Sequence, residues 1–90
     1  PDHIKIDEIV NELSKNKAIR NIHHVHIWQL NEHNCHFEAH IEFKEDIILS
    51  EFDTICIELE IILKDKFQIN HCNLQPEYNR KDSKEIIIQD

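Results

Sequence analysis

The clearest pattern in the chain is a strict alternation of apolar and polar residues from Cys35 to Phe43. A period of two is typical of a β-strand with one buried face. A less regular alternation precedes it, from about Ile19 to Leu30. Residues 31–34 between them favour a turn, because asparagine tolerates positive φ and the chain contains no glycine. The pattern therefore predicts a β-hairpin.

Two other stretches have apolar residues at spacings of three and four, which indicates amphipathic helices. They run from about Ile4 to Asn16 and from about Glu51 to Phe67. Ser50 precedes the second stretch and is expected to cap it. A third strand is expected from Gln68 to Gln75, ended by Pro76, because proline has no N–H to donate to a neighbouring strand.

The predicted order is helix, strand, strand, helix, strand. A helical crossover joins the second and third strands, so they are expected to be parallel, with the first strand between them and antiparallel to both. This is an α+β open-faced sandwich with a three-stranded sheet and both helices on one face. Residues 1–78 are expected to form the domain. Residues 79–90 are expected to form a polar, frayed tail, in which Ile86–Ile88 as an edge strand or a docking segment is the alternative.

The composition excludes several classes of function. The chain has 90 residues, with 18 Asp and Glu against 10 Lys and Arg, so its net charge of −8 argues against nucleic acid and suits a cation ligand. Without glycine there is no phosphate-binding loop or nucleophile elbow, which argues against an enzyme. The three cysteines have no CxxC spacing, which favours a reducing cytosolic setting without disulfides.

Two further expectations concern the context of the chain. No apolar run approaches the ~18 residues that a spanning helix needs, so direct insertion into a membrane is not expected. A chain that begins at Pro1 rather than at methionine is expected to be a piece of a longer protein.

Six of the eight histidines lie in the predicted hairpin, and neutral imidazole is the usual nitrogen ligand of zinc. His24 and His26 are expected to point away from the helices on the first strand, and His40 does so on the second. His71 on the third strand would join them. The strand pattern therefore predicts a zinc site on the open face, built from His24, His26, His40 and His71.

Other residues of this region leave alternatives open. The alternative to a metal site is that a histidine-rich exposed strand is only polar surface. Glu38, Glu42 or Glu77 would supply an oxygen ligand if a site forms, and the role of His36 is undecided. His3 and His33 are expected to be bystanders, and Trp28 is expected to serve packing or a subunit contact.

Three blocks of the sequence resemble a known family. They are Ile22-His23-His24-Val25-His26-Ile27-Trp28, Ala39-His40-Ile41 and His71-Cys72-Asn73-Leu74-Gln75-Pro76-Glu77. In spacing and order, the region from Ile4 to Glu77 resembles the C-terminal cytoplasmic domain of cation diffusion facilitator zinc transporters. The resemblance implies an αββαβ metallochaperone-like (ferredoxin-like) domain that forms a homodimer beneath its own transmembrane zinc/proton antiporter.

The resemblance also implies a ligand set that differs from the one the strand pattern predicts. By motif position, His23 and His40 are implied as metal ligands, and Glu77 matches an acidic ligand position that the other subunit can supply. His24 stands where the family has aspartate, and Gln75 stands where some members have a further histidine ligand. A bulge near His23 would reconcile the two sets, but the sequence does not reveal one.

Together these features predict a cytosolic zinc-binding, dimerising regulatory domain of a divalent-cation efflux transporter in a prokaryotic inner or plasma membrane. Other divalent transition metals are alternatives to zinc. The alternative function is a ferredoxin-like dimeric interaction or small-molecule-sensing module whose histidines are incidental. A copper chaperone is the weakest hypothesis, because it needs paired thiolates that these cysteines do not form.

Overall fold

The computed structural model describes residues 2–87, with side chains from residue 5 onward. Its elements, in order, are α1 (Asp2–Leu13), β1 (Ile19–Asn31), β2 (Asn34–Phe43), α2 (Leu49–Phe67) and β3 (His71–Glu77). The αββαβ order is confirmed, and each predicted end lies within three residues of the observed one. No helix in the described part of the chain has the length and apolarity needed to cross a bilayer.

Both helices pack on one face of the sheet, as expected. α1 buries Ile6, Ile9 and Leu13, and α2 buries three residues at four-residue spacing. These side chains form one cluster with the apolar positions of the strands. Phe37 and Ile41 of β2 are completely buried in it. The periodicities of 2 and 3.6 therefore meet in a single core, and the histidine-bearing face of the sheet is left without a helix.

The predicted position of the first strand is wrong. The observed sheet order is β1-β2-β3, with β2 in the centre, antiparallel to β1 and parallel to β3. A helical crossover links adjacent parallel strands directly, so no strand has to lie between β2 and β3. His40 is consequently central on the open face, and the histidines of β1 lie to one side of it.

Two local predictions are also wrong. Ser50 lies inside α2, whose N-cap is Ile48 and has no side-chain capping bond. Pro76 lies within β3 rather than ending it. An edge strand tolerates proline because the missing N–H leaves no partner strand unpaired. The turn prediction is confirmed, since Asn31 pairs with Asn34 and its Oδ1 accepts a hydrogen bond of 2.8 Å from the His33 N–H.

A β-bulge interrupts β1 between His23 and His26, where the pairing with β2 shifts register. His24 adopts a left-handed backbone at φ 55°. Glycine usually takes this left-handed conformation, but the chain has none, so residues with a Cβ adopt it instead. Gln68 is another example, at φ 57°, where it caps the C-terminus of α2. The extra residue of the bulge puts His23 on the open face while Ile22 and Val25 remain in the core.

The strain at the bulge can be measured by comparing two substitutions at one position. His24→Val should be less stable than His24→Gly by about 1–2 kcal/mol, because left-handed backbone is costly for every residue with a Cβ and most costly for a β-branched one. Both variants lose the imidazole, so the difference isolates the backbone. Urea denaturation of the two proteins measures it, and equal midpoints would contradict a left-handed residue 24.

Residues 79–87, here called the C-terminal strap, lie against the sheet. The N–H groups of His24 and Val25, which the bulge frees from β2, donate to the carbonyls of Glu85 and Ile86. Ile86 and Ile87 pack against the core cluster. The prediction of a frayed tail is therefore wrong for this segment, because the bulge supplies the backbone donors that anchor it. Ile88 lies outside the described residues.

Candidate metal centre

Glu77, at the end of β3, lies between two imidazoles on the open face of the sheet. Its Oε1 is 2.9 Å from His23 Nε2, and its Oε2 is 2.8 Å from His40 Nδ1. The side chains of His23 and Glu77 are fully buried, whereas His40 is partly exposed. One carboxylate thus connects donor atoms from all three strands.

Strand register explains this convergence. His23 pairs with His40 across the antiparallel strands, and His40 pairs with Gln75 across the parallel ones. Glu77 is two residues beyond Gln75, so its side chain points to the same face as that of Gln75. The bulge is also required, because without the extra residue His23 and His26 would point to opposite faces of the strand.

The C-terminal strap adds a fourth donor, Asp82. Its Oδ2 lies 3.4 Å from His23 Nε2 and 3.8 Å from His40 Nδ1. One ligand atom from each of His23, His40, Glu77 and Asp82 lies within 4.8 Å of the others, which makes this the one such cluster found in the described part of the chain. Sequence reasoning missed Asp82, because a lone aspartate in a polar tail has no periodicity or spacing that would mark it.

Asn21 orients the buried imidazole. The Nδ1 atom of His23 is 2.6 Å from Asn21 Oδ1. In the tautomer with its proton on Nδ1, that N–H donates to the amide oxygen and Nε2 presents a lone pair to the cluster. Metal-binding histidines commonly have such a partner on the other ring nitrogen. Asn21 was also missed by sequence reasoning.

The donor atoms fit a divalent cation. His40 Nδ1 is buried and has no hydrogen-bond partner, although Glu77 Oε2 lies 2.8 Å away, because the angles do not suit a hydrogen bond. A tetrahedral ion with bonds of 2.0–2.1 Å separates its ligand atoms by about 3.3 Å. The four nitrogen–oxygen separations around the two imidazoles are 2.8–3.8 Å and involve both oxygens of Glu77. With one ligand atom from each of the four residues, all separations are within 4.8 Å, so the four groups are close enough to converge on one ion. Two imidazole nitrogens with two carboxylate oxygens form a donor set that suits zinc.

Charge around the cluster is dominated by carboxylates. Glu42 is buried beside Glu77 at the end of the sheet, and the ammonium of Lys84 approaches both. The hydrogen bond from Lys84 lowers the pKa of Asp82 below its ordinary value, and the same bond raises the pKa of Lys84. Three carboxyl groups therefore share one ammonium at the cluster, an arrangement that favours a further cation.

The other histidines predicted from the strand pattern lie outside this cluster. The His24 ring stacks on that of His40, with centroids 4.5 Å apart, and His26 lies beyond it, 5.3 Å from His24. His71 is exposed on β3, with its ring 6.5 Å from that of His36. The structure thus brings together His23, His40 and Glu77, the three positions that the family resemblance implied.

The remaining predicted bystanders are separate from the cluster as well. The ring of His36 stacks on that of Trp28, with centroids 4.4 Å apart. Trp28 therefore packs against a histidine, in line with the packing role expected for it. His33 is exposed in the hairpin turn. The side chain of His3 lies outside the described residues.

The cysteines do not form a thiolate site. All three are free and partly buried. Burial, with a contribution from the Glu60 carboxylate, raises the pKa of Cys56 and of Cys72 to about 11. Both are therefore protonated thiols at neutral pH in the metal-free domain.

Comparison with known families identifies the domain. A family model described as cation efflux protein, cytoplasmic domain (ZT_dimer), matches residues 1–79. The chain belongs to this family.

Relatives of this cation efflux domain agree with the assignment. The chain is 30% identical over 86 residues to the zinc transporter ZitB of Pectobacterium atrosepticum. That match covers 91% of the chain but 25% of the transporter, so the chain spans about a quarter of that relative's length.

Solved structures of similar proteins include a metal-bound C-terminal domain of the CzcD transporter from Cuprividus metallidurans. It is 25% identical, covers 79% of this chain and 94% of its own, and has a TM-score of 0.66. The zinc form of the transporter CzrB has a TM-score of 0.76 at 17% identity, covering 88% of this chain and 90% of its own. At that identity the likeness to CzrB concerns the fold alone.

Proposed function

We propose that this chain is the zinc-responsive, non-catalytic regulatory domain of a divalent-cation efflux transporter. The observation that carries the proposal is the convergence of His23, His40, Glu77 and Asp82, whose ligand atoms lie within 4.8 Å of one another. The nitrogen and oxygen donors suit zinc, and other divalent transition metals are the competing ligands. Residues 1–78 form the domain in this proposal, and residues 79–90 form the tail that contributes Asp82.

The proposed partners are a second copy of the chain and the transmembrane part of the same protein. The ZT_dimer family match supports the first, and the quarter-length match to ZitB supports the second. Several large apolar side chains are exposed and available for such contacts: Trp28, Leu30, Ile48, Leu49, Ile57, Ile61 and Tyr78. Zinc would regulate transport by binding more tightly to one arrangement of two domains than to another, which shifts their population.

The test is a calorimetric titration of the metal-free domain with Zn²⁺, repeated with His40→Ala and His71→Ala. We expect the wild-type domain and His71→Ala to bind zinc alike. His40→Ala should bind at least about tenfold more weakly, because it removes a ligand. The pair is matched, since each variant loses one imidazole from the same sheet, and His71 is exposed outside the cluster.

Light scattering on the same samples measures the oligomeric state. We expect zinc to increase the fraction of dimer in the wild-type domain and to have less effect on His40→Ala. If the wild-type domain binds no zinc, the histidines are incidental and the sensing role is wrong. If zinc binds while the oligomeric state stays the same with and without it, the zinc-dependent dimerisation is wrong.

A further inference from the structure

Lys84 is the only lysine or arginine that forms an ion pair at the metal cluster in the described part of the chain. Its Nζ is 3.5 Å from Glu77 Oε1 and 3.8 Å from Glu42 Oε1, and it donates to Asp82 Oδ1. It also donates a 2.9 Å hydrogen bond to the Arg80 carbonyl. One ammonium therefore contacts three carboxylates, two of which belong to the proposed ligand set.

We infer that Lys84 is a built-in competitor of the metal, a tethered cation that neutralises the carboxylates of the empty cluster and thereby lowers its affinity for zinc. The inference rests on the proposed function, because it assigns a role to a residue beside that site. It goes further, since it makes the zinc response depend on a residue that is itself not a ligand.

The placement of Lys84 is maintained by the backbone on both sides of it. The strap begins two residues after Glu77, which ends β3. The two residues that follow Lys84, Glu85 and Ile86, are hydrogen-bonded to β1. The ammonium is therefore held near the carboxylates at a high effective concentration, as for any tethered ligand. Unlike a soluble cation, the ammonium of Lys84 cannot be removed by dialysis, because it is part of the chain.

Coulomb interactions determine the direction of the effect. A divalent ion bound by Glu77 and Asp82 would have the positive charge of Lys84 beside the same two carboxylates, and the two cations repel each other. With the side chain of Lys84 about one-third exposed, solvent screens part of this repulsion. At the dielectric constant of water, a divalent and a monovalent charge about 5 Å apart change a binding constant by roughly tenfold.

The experiment measures zinc affinity by competition with a chelating dye in four proteins: the wild-type chain, Lys84→Gln, Lys84→Arg and Lys81→Gln. We expect Lys84→Gln to bind zinc about tenfold more tightly than the wild type at low salt, with a smaller gain at high salt. Lys84→Arg retains the charge and should remain within about threefold of the wild type. Lys81→Gln removes a charge from the same strap and should also remain near the wild type, because no ion pair links Lys81 to the cluster.

A second readout needs no metal. In EDTA, Lys84→Gln should melt at a lower temperature than Lys84→Arg and Lys81→Gln, because its carboxylates lose their counter-ion. Lys84→Gln that binds zinc as the wild type does, or more weakly, would overturn the inference and leave the proposed function standing. Absence of zinc binding in all four proteins would overturn both, whereas binding by Lys84→Gln alone would establish the competitor and refute zinc sensing by the native chain.

Discussion

We expect Glu77→Gln to lower the affinity of the domain for zinc by about a hundredfold, which corresponds to about 2.7 kcal/mol. The reason is geometric and electrostatic. Glu77 approaches both imidazoles more closely than Asp82 does, at 2.9 Å from His23 and 2.8 Å from His40. Glutamine has the same shape but no charge, and an amide is a weaker ligand for zinc than a carboxylate. Isothermal calorimetry at one pH and one salt concentration measures the change.

Glu38→Gln is the matched control for this prediction. Glu38 lies on the open face of β2, 3.7 Å from His36 Nε2 and outside the cluster. The substitution removes the same charge from the same sheet, so its effect on zinc affinity should be less than about threefold. Equal losses in the two variants would mean that zinc responds to the overall negative charge of the domain and not to the cluster around Glu77.

Deletion of residues 79–90 is expected to lower the free energy of unfolding of the metal-free domain by about 2–4 kcal/mol. The strap buries parts of Ile86 and Ile87 against the core, and its carbonyls accept bonds from the His24 and Val25 amides. Partial burial of two isoleucines and two net hydrogen bonds together account for a loss of roughly this size. Urea denaturation in the presence of EDTA measures it.

The same deletion should also weaken zinc binding, because it removes Asp82. Asp82→Asn separates the two effects, since it removes the ligand charge and leaves the apolar contacts of the strap intact. We expect Asp82→Asn to lose zinc affinity with only a small change in the urea midpoint. Unchanged stability of the truncated protein would show that the strap is not held against the sheet in solution.

The elements of the fold could be predicted because their signals are local. The alternation from Cys35 to Phe43 and the apolar stripe on α2 each depend on residues a few positions apart. The apolar residues of both patterns pack into the same core. The parallel arrangement of β2 and β3 also followed from the crossover helix. The central strand did not follow, because the handedness and crossover rules apply equally to adjacent strands and to strands with another between them.

The candidate site was predictable only in part, for a physical reason that concerns a single residue. A strand alternates faces with a period of two, so one extra residue at His24 reverses the side to which His23 points. The alternation therefore favoured a set of four histidines, whereas the family resemblance implied His23, His40 and Glu77. The four were His24, His26, His40 and His71, so only His40 belongs to both sets. Asp82 and Lys84 had no local pattern at all, since the strap reaches the cluster through its tertiary contacts.

By itself, the sequence determined the order of helices and strands and the helix-free face of the sheet, because both follow from periodicity over neighbouring residues. It also determined the surplus of imidazoles and carboxylates, which is a matter of composition. The tertiary structure alone decided that β2 is central, that a bulge puts His23 opposite His40, and that the strap brings Asp82 and Lys84 to Glu77. These depend on backbone pairing between segments that are distant in sequence, from 17 residues for His23 and His40 to 61 residues for His24 and Glu85, which no local pattern specifies.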